Sequence, residues 1–330
     1  MRATRTPLLL AVAMVLWGWA AAEPAGADSC VRGGRRCSTP PASSRAAKAR
    51  SEQMVAATRR LAPGERVVVP VVYHVIYGSY LPRPGEEPDD LTHAPPLALT
   101  RRQTQALERA FRGTGFSFVN AGASFADFAR WSREPRLPGE RPPVEELTAM
   151  IHELTVASEE SLHVFLMRRT ENRAAPPDTR SMFESEPGAD GIVMDWDYLP
   201  YVEALHPIRD RTFRRFYFQG EMLVHLVGHY CGLLHTFEEA PDDCWGRCSL
   251  TTDFVRDTPA HRWTWDEKIG RCIPLDTCPD QPGMDPMTNY MNLEPDLCAS
   301  EFTPGQVERM ERMLRLYRPY LIVPATAGSR

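Results

Sequence analysis

Residues 225 to 235 read His225-Leu-Val-Gly-His229-Tyr-Cys-Gly232-Leu-Leu-His235, and the spacing of these histidines constrains how the chain must fold around them. Residues four apart lie one turn apart on the same side of a helix, so His225 and His229 can reach one point. Gly232 can adopt a left-handed conformation that ends the helix and brings His235 back to that point. The pattern predicts a helix over 221–231 that carries two of three converging imidazoles.

Three converging imidazoles are a ligand set typical of zinc, which then keeps a fourth position open for water. Histidines four apart also occur without a metal, where they line a half-buried helix face. The third histidine, six residues further on and after a glycine, favours metal binding. We expect one Zn2+ held by His225, His229, His235 and a water molecule. A structural Ca2+ is compatible with the sequence, but no pattern indicates one.

The residue after the first histidine departs from the zinc-protease motif HExxHxxGxxH, which has glutamate there. This chain has Leu226 instead. The glutamate takes a proton from the metal-bound water and passes it to the leaving nitrogen, and leucine has no ionisable group for either step. The sequence therefore predicts a metal site that lacks its general acid and base.

Composition excludes some classes of function. The chain has 330 residues, 43% of them apolar, which is enough for a substantial globular core. A net charge of −5 gives no basic surface for nucleic acid. Only Lys48 and Lys268 are lysines, so arginine supplies nearly all positive charge, a usage typical of GC-rich bacterial genomes.

The first residues predict export. Arg2 and Arg5 precede an apolar run over 8–19 and three alanines, the order of a secretory signal peptide over 1–22, with cleavage as late as 27 as the alternative. An N-terminal membrane anchor is disfavoured because a bilayer span needs roughly 20 apolar residues. No later segment could span a membrane, so we expect a secreted or periplasmic protein.

Three further regions follow. Residues 28–64 are polar and rich in Arg, Ser and Pro, which indicates a pro-segment or leader. The folded domain is expected over 65–320, beginning at the β-branched strand Val67–Tyr77, with a tail over 321–330. Strand and helix patterns alternate up to the histidine helix, which favours an α/β (α+β) fold.

Several segments after Gly220 together resemble the pappalysin group of the metzincin metallopeptidases, the family of pregnancy-associated plasma protein-A. The resemblance implies a zincin fold with an upper lobe over 65–235, built on a twisted mixed sheet and including the zinc helix, and a lower, irregular, disulfide-bonded lobe over 236–320 with a C-terminal helix. It also implies a Met-turn in which Met291 lies beneath the histidines. The segments are VGHYCGLLHTFE, Asp257-Thr-Pro-Ala, Asp276-Thr-Cys-Pro, Pro282-Gly-Met-Asp-Pro, Asn289-Tyr-Met291 and Phe302-Thr-Pro-Gly-Gln.

The same resemblance implies two disulfides in the lower lobe, Cys244 with Cys278 and Cys272 with Cys298. Two of the remaining four cysteines, Cys231 and Cys248, have no counterpart in the family. They either pair with each other or leave Cys231 as a small buried residue. The other two lie in the leader, where Cys37 either caps the zinc as a thiolate or pairs with Cys30.

The family also has a tyrosine two residues after the Met-turn methionine, which stabilises the tetrahedral intermediate, and here that position is Leu293. We therefore expect a zinc-binding pseudopeptidase that holds peptide or protein segments in its cleft. The alternative is an active zinc endopeptidase with another base. Glu238 is the main candidate for that base, with Glu221 and Glu239 less favoured. The sequence does not indicate an oligomeric state.

Overall fold

A computed structural model describes residues 45–324, apart from gaps at 87–88, 134, 157, 159, 184–187, 201–218, 238–247, 249–252 and 263–271. The signal peptide, Cys30, Cys37, Glu238, Glu239 and Cys244 lie outside the described residues. Among the residues described, no helix is both long and apolar enough to cross a membrane.

A twisted mixed sheet forms the centre of the molecule. Its main strands are parallel, except that β4 runs antiparallel to β5, and a short β6 pairs antiparallel with the start of β1. In spatial order the strands are β2 (Phe116–Asp127), β1 (Arg66–Tyr77), β3 (Leu162–Met167), β5 (Ile192–Asp195) and β4 (Arg173–Ala174), with β6 (Ile322–Val323) beside β1.

The sequence of β1 explains its central place. Alternate valines are buried, and the strand pairs with β2 along its length but with β3 only from Val71 onward. Pro70, which has no N–H to donate, therefore lies just before the β3 ladder begins. The edge left open at Arg66 and Val67 is filled by β6. Residues 322 and 323, which lie within the predicted tail over 321–330, therefore belong to the sheet.

Helices cover both faces of the sheet. The larger apolar core lies between the sheet and the helices α2, α4 and α5, and a second core forms where α3 packs against β3 and β5. The helices are α1 (Arg45–Ala57), α2 (Ala98–Ala110), α3 (Val144–Thr155), α4 (Glu221–Tyr230) and α5 (Pro304–Tyr317). The predicted α/β fold class is confirmed, and the histidine helix begins at the expected residue and ends one residue early.

The chain after α4 is irregular. Its described residues from 253 to 303 form turns and bends, with one isolated bridge between Asn289 and Glu301. Because these described residues form no regular helix or strand, cross-links help to hold the region together. The start of α5 is fixed by a capping box, in which Thr303 and Gln306 satisfy each other's backbone N–H groups.

Two disulfides cross-link this region, and one differs from the expectation. Cys272 is bonded to Cys298, as the family resemblance implied. Cys278 is bonded to Cys248, with Cα atoms 5.4 Å apart, so the expected pairing with Cys244 is wrong. A cysteine sulfur forms only one disulfide, so the bond to Cys248 excludes a bond from Cys278 to Cys244.

Cys231 is a free thiol and is completely buried at the C-terminal end of α4. Of the two alternatives for this residue, the small buried side chain is therefore the correct one. Burial raises the pKa of the Cys231 thiol to about 12, so it stays protonated and unreactive in the folded protein.

A tryptic digest can distinguish the Cys248–Cys278 disulfide from a Cys244–Cys278 disulfide, because trypsin cleaves after Arg247, between Cys244 and Cys248. We expect a non-reduced tryptic digest to contain peptide 248–256 joined to peptide 272–309, a species that reduction splits. Mass spectrometry of the two digests makes the measurement. A link from peptide 216–247 to peptide 272–309 would instead restore the Cys244 pairing.

Candidate metal centre

The histidine helix α4 is buried, and contacts of the residue before it, Gly220, fix its start. Gly220 precedes it with φ of +101°, and its carbonyl accepts a hydrogen bond of 2.8 Å from Gln103 on α2. A Cβ at Gly220 would lie 2.9 Å from Ala106. From Met222 to Tyr230 every residue of the helix is buried. The position of the helix is therefore fixed by close packing against α2.

The three histidines of the motif converge as predicted. The Nε2 atom of His229 lies 3.0 Å from Nε2 of His225 and 3.2 Å from Nε2 of His235. All three side chains are buried, and among the described residues they form the one group of three or more potential ligands close enough to share an ion. Nitrogens on a tetrahedral zinc at about 2.0–2.1 Å lie roughly 3.3 Å apart, so the observed spacing fits zinc.

Backbone carbonyls set the tautomers of two of these histidines. Nδ1 of His225 donates to the Tyr290 carbonyl at 2.7 Å, and Nδ1 of His229 donates to the Leu233 carbonyl at 2.8 Å. With the proton on Nδ1, each Nε2 carries a lone pair directed at the common point. Facing lone pairs repel unless a cation lies between them, so the geometry fits a metal ion better than an empty core.

A tight turn brings the third histidine into place. Gly232 has φ of +98°, and a Cβ there would lie 2.6 Å from the Met313 side chain on α5. The Leu233 N–H donates to the Gly228 carbonyl, which closes the turn. The ring of His235 then stacks on Phe237 at 5.0 Å. The predicted left-handed glycine is confirmed, and its lack of a side chain is also needed for the approach of α5.

Met291, the predicted Met-turn residue, packs against the histidine helix at Gly228. Its side chain is fully buried, and a Cβ at Gly228 would be only 2.3 Å from its sulfur. The Met291 carbonyl accepts from the N–H of Thr236, the residue after the third histidine. Asn289 holds the turn around Met291. Its side-chain amide donates one hydrogen bond to the side-chain amide of Gln306 and accepts one from it. The metal site therefore rests on a rigid apolar base.

Leu226 and Leu293 both belong to the main apolar core. Leu226 has no exposed surface and Leu293 has 6%. Neither side chain can exchange a proton. Tyr290 is also buried, packs against Phe302 at 4.9 Å, and has its pKa raised to about 12, chiefly by burial. Its carbonyl, not its phenol, is the group that contacts a metal ligand.

Glu221, one of the substitute bases considered, lies at the start of α4 beside Asp296. Burial, reinforced by the negative charge of Asp296, raises the pKa of Glu221 to about 8. At neutral pH the two carboxyl groups therefore share a proton. This arrangement makes Glu221 a poor proton acceptor for a metal-bound water below that pH.

Sequence reasoning missed the groups that orient the ligands. The carbonyls of Tyr290 and Leu233 escaped it because every residue type has a carbonyl. Two arginines were also missed. Arg309 on α5 donates to the Gly232 carbonyl at 2.9 Å, and Arg318, directly after α5, donates to the Tyr230 carbonyl at 2.6 Å. These arginines lie 77 and 88 residues away in the sequence from the carbonyls that they bind, so no local pattern predicts the contacts.

Comparison with known proteins agrees with this site. Residues 217–315, which contain the three histidines and Met291, match the peptidase M43 family model described as pregnancy-associated plasma protein-A. An extracellular metalloprotease of Colletotrichum graminicola is 31% identical over 267 residues, covering 78% of this chain and 80% of that relative. One of Pyricularia oryzae is 44% identical over 99 residues, which span 30% of this chain and 31% of that relative's length.

The fold resembles that of mirolysin from Tannerella forsythia. A promirolysin variant superposes with a TM-score of 0.57 at 18% identity, covering 84% of this chain and 89% of the other. Mature mirolysin in complex with a cleaved peptide gives 0.51 at 20% identity, covering 78% and 99%. The mixed α/β sheet and the three-histidine site thus define a metzincin-like zinc protein.

The chain belongs to the pregnancy-associated plasma protein-A family of metallopeptidases, peptidase family M43. It is an extracellular metalloprotease homologue, and the predicted signal peptide agrees with the names of these relatives. The curated relatives named above are fungal, so they give no support to the bacterial origin suggested by arginine usage.

Substitution of Gly232 by alanine tests the turn to the third ligand. We expect Gly232→Ala to weaken zinc binding at least tenfold, because the new Cβ meets Met313 and displaces His235. Chelator competition measures the affinity. Gly113→Ala is the matched control, since Gly113 has φ of +83° but open space around it. Equal zinc affinity in the two variants would contradict the assigned role.

Proposed function

We propose that this chain is a secreted, zinc-binding pseudopeptidase that holds peptide or protein segments without cleaving them efficiently. The single observation that carries the proposal is Leu226, which stands between two intact ligands where the motif requires a carboxylate. The three histidines that would hold zinc are His225, His229 and His235. When bound, zinc supplies a Lewis acid at the open fourth position.

The loss concerns proton transfer. General acid and base catalysis typically contributes roughly 10²–10⁴-fold in rate, and Leu226 offers neither role. Leu293 removes in addition the hydroxyl by which family members stabilise the tetrahedral intermediate. Both leucines lie in the apolar core, where no water could easily replace the missing groups. The metal ligands are unaffected, because the missing carboxylate is not a ligand.

Peptide binding is supported by a protein of similar fold. Mature mirolysin has been solved with a cleaved peptide. We therefore expect peptide or protein segments to occupy the cleft of this chain as well.

The alternative is an active zinc endopeptidase with an unusual base, of which Glu238 is the leading candidate. Glu221 is less suitable because it shares a proton with Asp296. In a third alternative, zinc serves folding alone. Its removal would then lower thermal stability without changing peptide binding.

Restoring the missing groups tests the proposal. We expect the unmodified protein to show little chelator-sensitive cleavage of an unfolded protein substrate. Leu226→Glu should raise the rate by about 10²-fold or more, and Leu226→Glu with Leu293→Tyr should raise it further, because acid and base are returned beside a preserved metal site. Bound zinc is measured on the same samples.

Leu226→Gln is the matched control, since it has the size of glutamate without its proton chemistry. It should stay as inactive as the unmodified protein. If the unmodified protein already cleaves at a rate comparable with the double variant, the pseudopeptidase proposal is wrong. Loss of that activity in Glu238→Ala would then identify the alternative base.

A further inference from the structure

The C-terminal end of α4 carries the turn between the second and third metal ligands. The last carbonyls of a helix have no partners within the helix and form the negative end of its dipole. Here two of the carbonyls in this turn are bound by buried arginines, one on α5 and one directly after it. Arg318 binds that of Tyr230, and Arg309 binds that of Gly232.

Each arginine is in turn held by a carboxylate, and the two carboxylates come from different parts of the chain. Arg318 pairs with Asp190, just before β5, at 2.7 Å. Arg309 pairs with Glu52 on α1 through two parallel bonds of 2.6 and 2.7 Å. A bidentate pair fixes the guanidinium plane, so Glu52 determines where the remaining Nε–H of Arg309 points. That N–H donates to Gly232.

The helix α1 is firmly docked on α5. Val55 is buried, Ser51 is hydrogen-bonded to Tyr317 at 2.9 Å, and Arg312 donates to the Ala56 carbonyl. A second ion pair joins Arg60 to Glu311 at 2.9 Å. These contacts place residues 51–60, which the sequence suggested were part of a leader, against the helix that supports the metal turn.

We propose that α1 is a structural support of the zinc site, in which Glu52 is a positioning residue that acts through Arg309 on the Gly232 carbonyl. The side chain of Arg309 is 7% exposed and that of Glu52 18%. Removing either one leaves a largely buried charge without its partner, so Arg309 would leave the carbonyl and the turn to His235 would loosen. Detachment of α1 would therefore weaken zinc binding.

The inference rests on the zinc site of the proposed function but not on its lack of catalysis. Zinc affinity is therefore the readout, by competition with a chromophoric chelator on the full chain, together with thermal unfolding of the metal-free protein. Discovery of peptidase activity would overturn the pseudopeptidase proposal and leave this one intact.

Arg309→Gln should weaken zinc binding about tenfold or more, as loss of a group that orients ligands typically does. Glu52→Gln should weaken it several-fold. The double variant should bind zinc no more weakly than Arg309→Gln alone, because Glu52 acts only through Arg309. Should Arg309→Gln fail to fold, Arg309→Lys replaces it, since lysine keeps the charge but cannot bind Glu52 through two bonds and Gly232 at once.

Glu311→Gln is the matched control. It breaks the ion pair between Arg60, just after α1, and α5, and Glu311 makes no hydrogen bond to Arg309 or Gly232. Zinc affinity within twofold of the unmodified protein is expected. The proposal is overturned if Glu52→Gln binds zinc as tightly as the unmodified protein, if Glu311→Gln weakens binding equally, or if the effects of Glu52→Gln and Arg309→Gln add.

Discussion

Three imidazoles converge in a buried site, where Nε2 of His229 lies 3.0 Å from that of His225 and 3.2 Å from that of His235. Two of the rings donate through Nδ1 to backbone carbonyls, so that Nε2 of each neutral ring carries a lone pair. A metal cation at the centre would accept these lone pairs and so stabilise the arrangement. Two glycines make this convergence possible. Gly228 has no side chain and so leaves room for Met291 against the helix, and Gly232 turns the chain so that His235 reaches the other two histidines.

The convergence of the three ligands does not depend on the general base, so a chain can keep the metal site and lose the base. Ligand geometry depends on His225, His229 and His235 and on the carbonyls and packing that orient them. The glutamate of the motif is a general base and not a metal ligand. A leucine at position 226 can therefore join the apolar core while the ligand set is retained. A protein built in this way can keep its fold and its cleft while its catalytic role changes.

Local patterns predicted much of this structure. The valine-rich strand β1 and the histidine helix were expected within one residue of their observed limits, because periodicity and glycine position are local properties. The disulfide of Cys278 was not predicted correctly, since spacing does not decide between Cys244 and Cys248. The role of α1 was also missed. It depends on the contact of Glu52 with Arg309, which are 257 residues apart in the chain.

X-ray absorption spectroscopy at the zinc edge, on the full chain loaded with one equivalent of zinc, tests the central claim most directly. The account predicts three imidazole nitrogens at about 2.0–2.1 Å and one further light-atom ligand. A spectrum with two imidazoles or fewer would contradict it, because His225, His229 and His235 would then not share one ion.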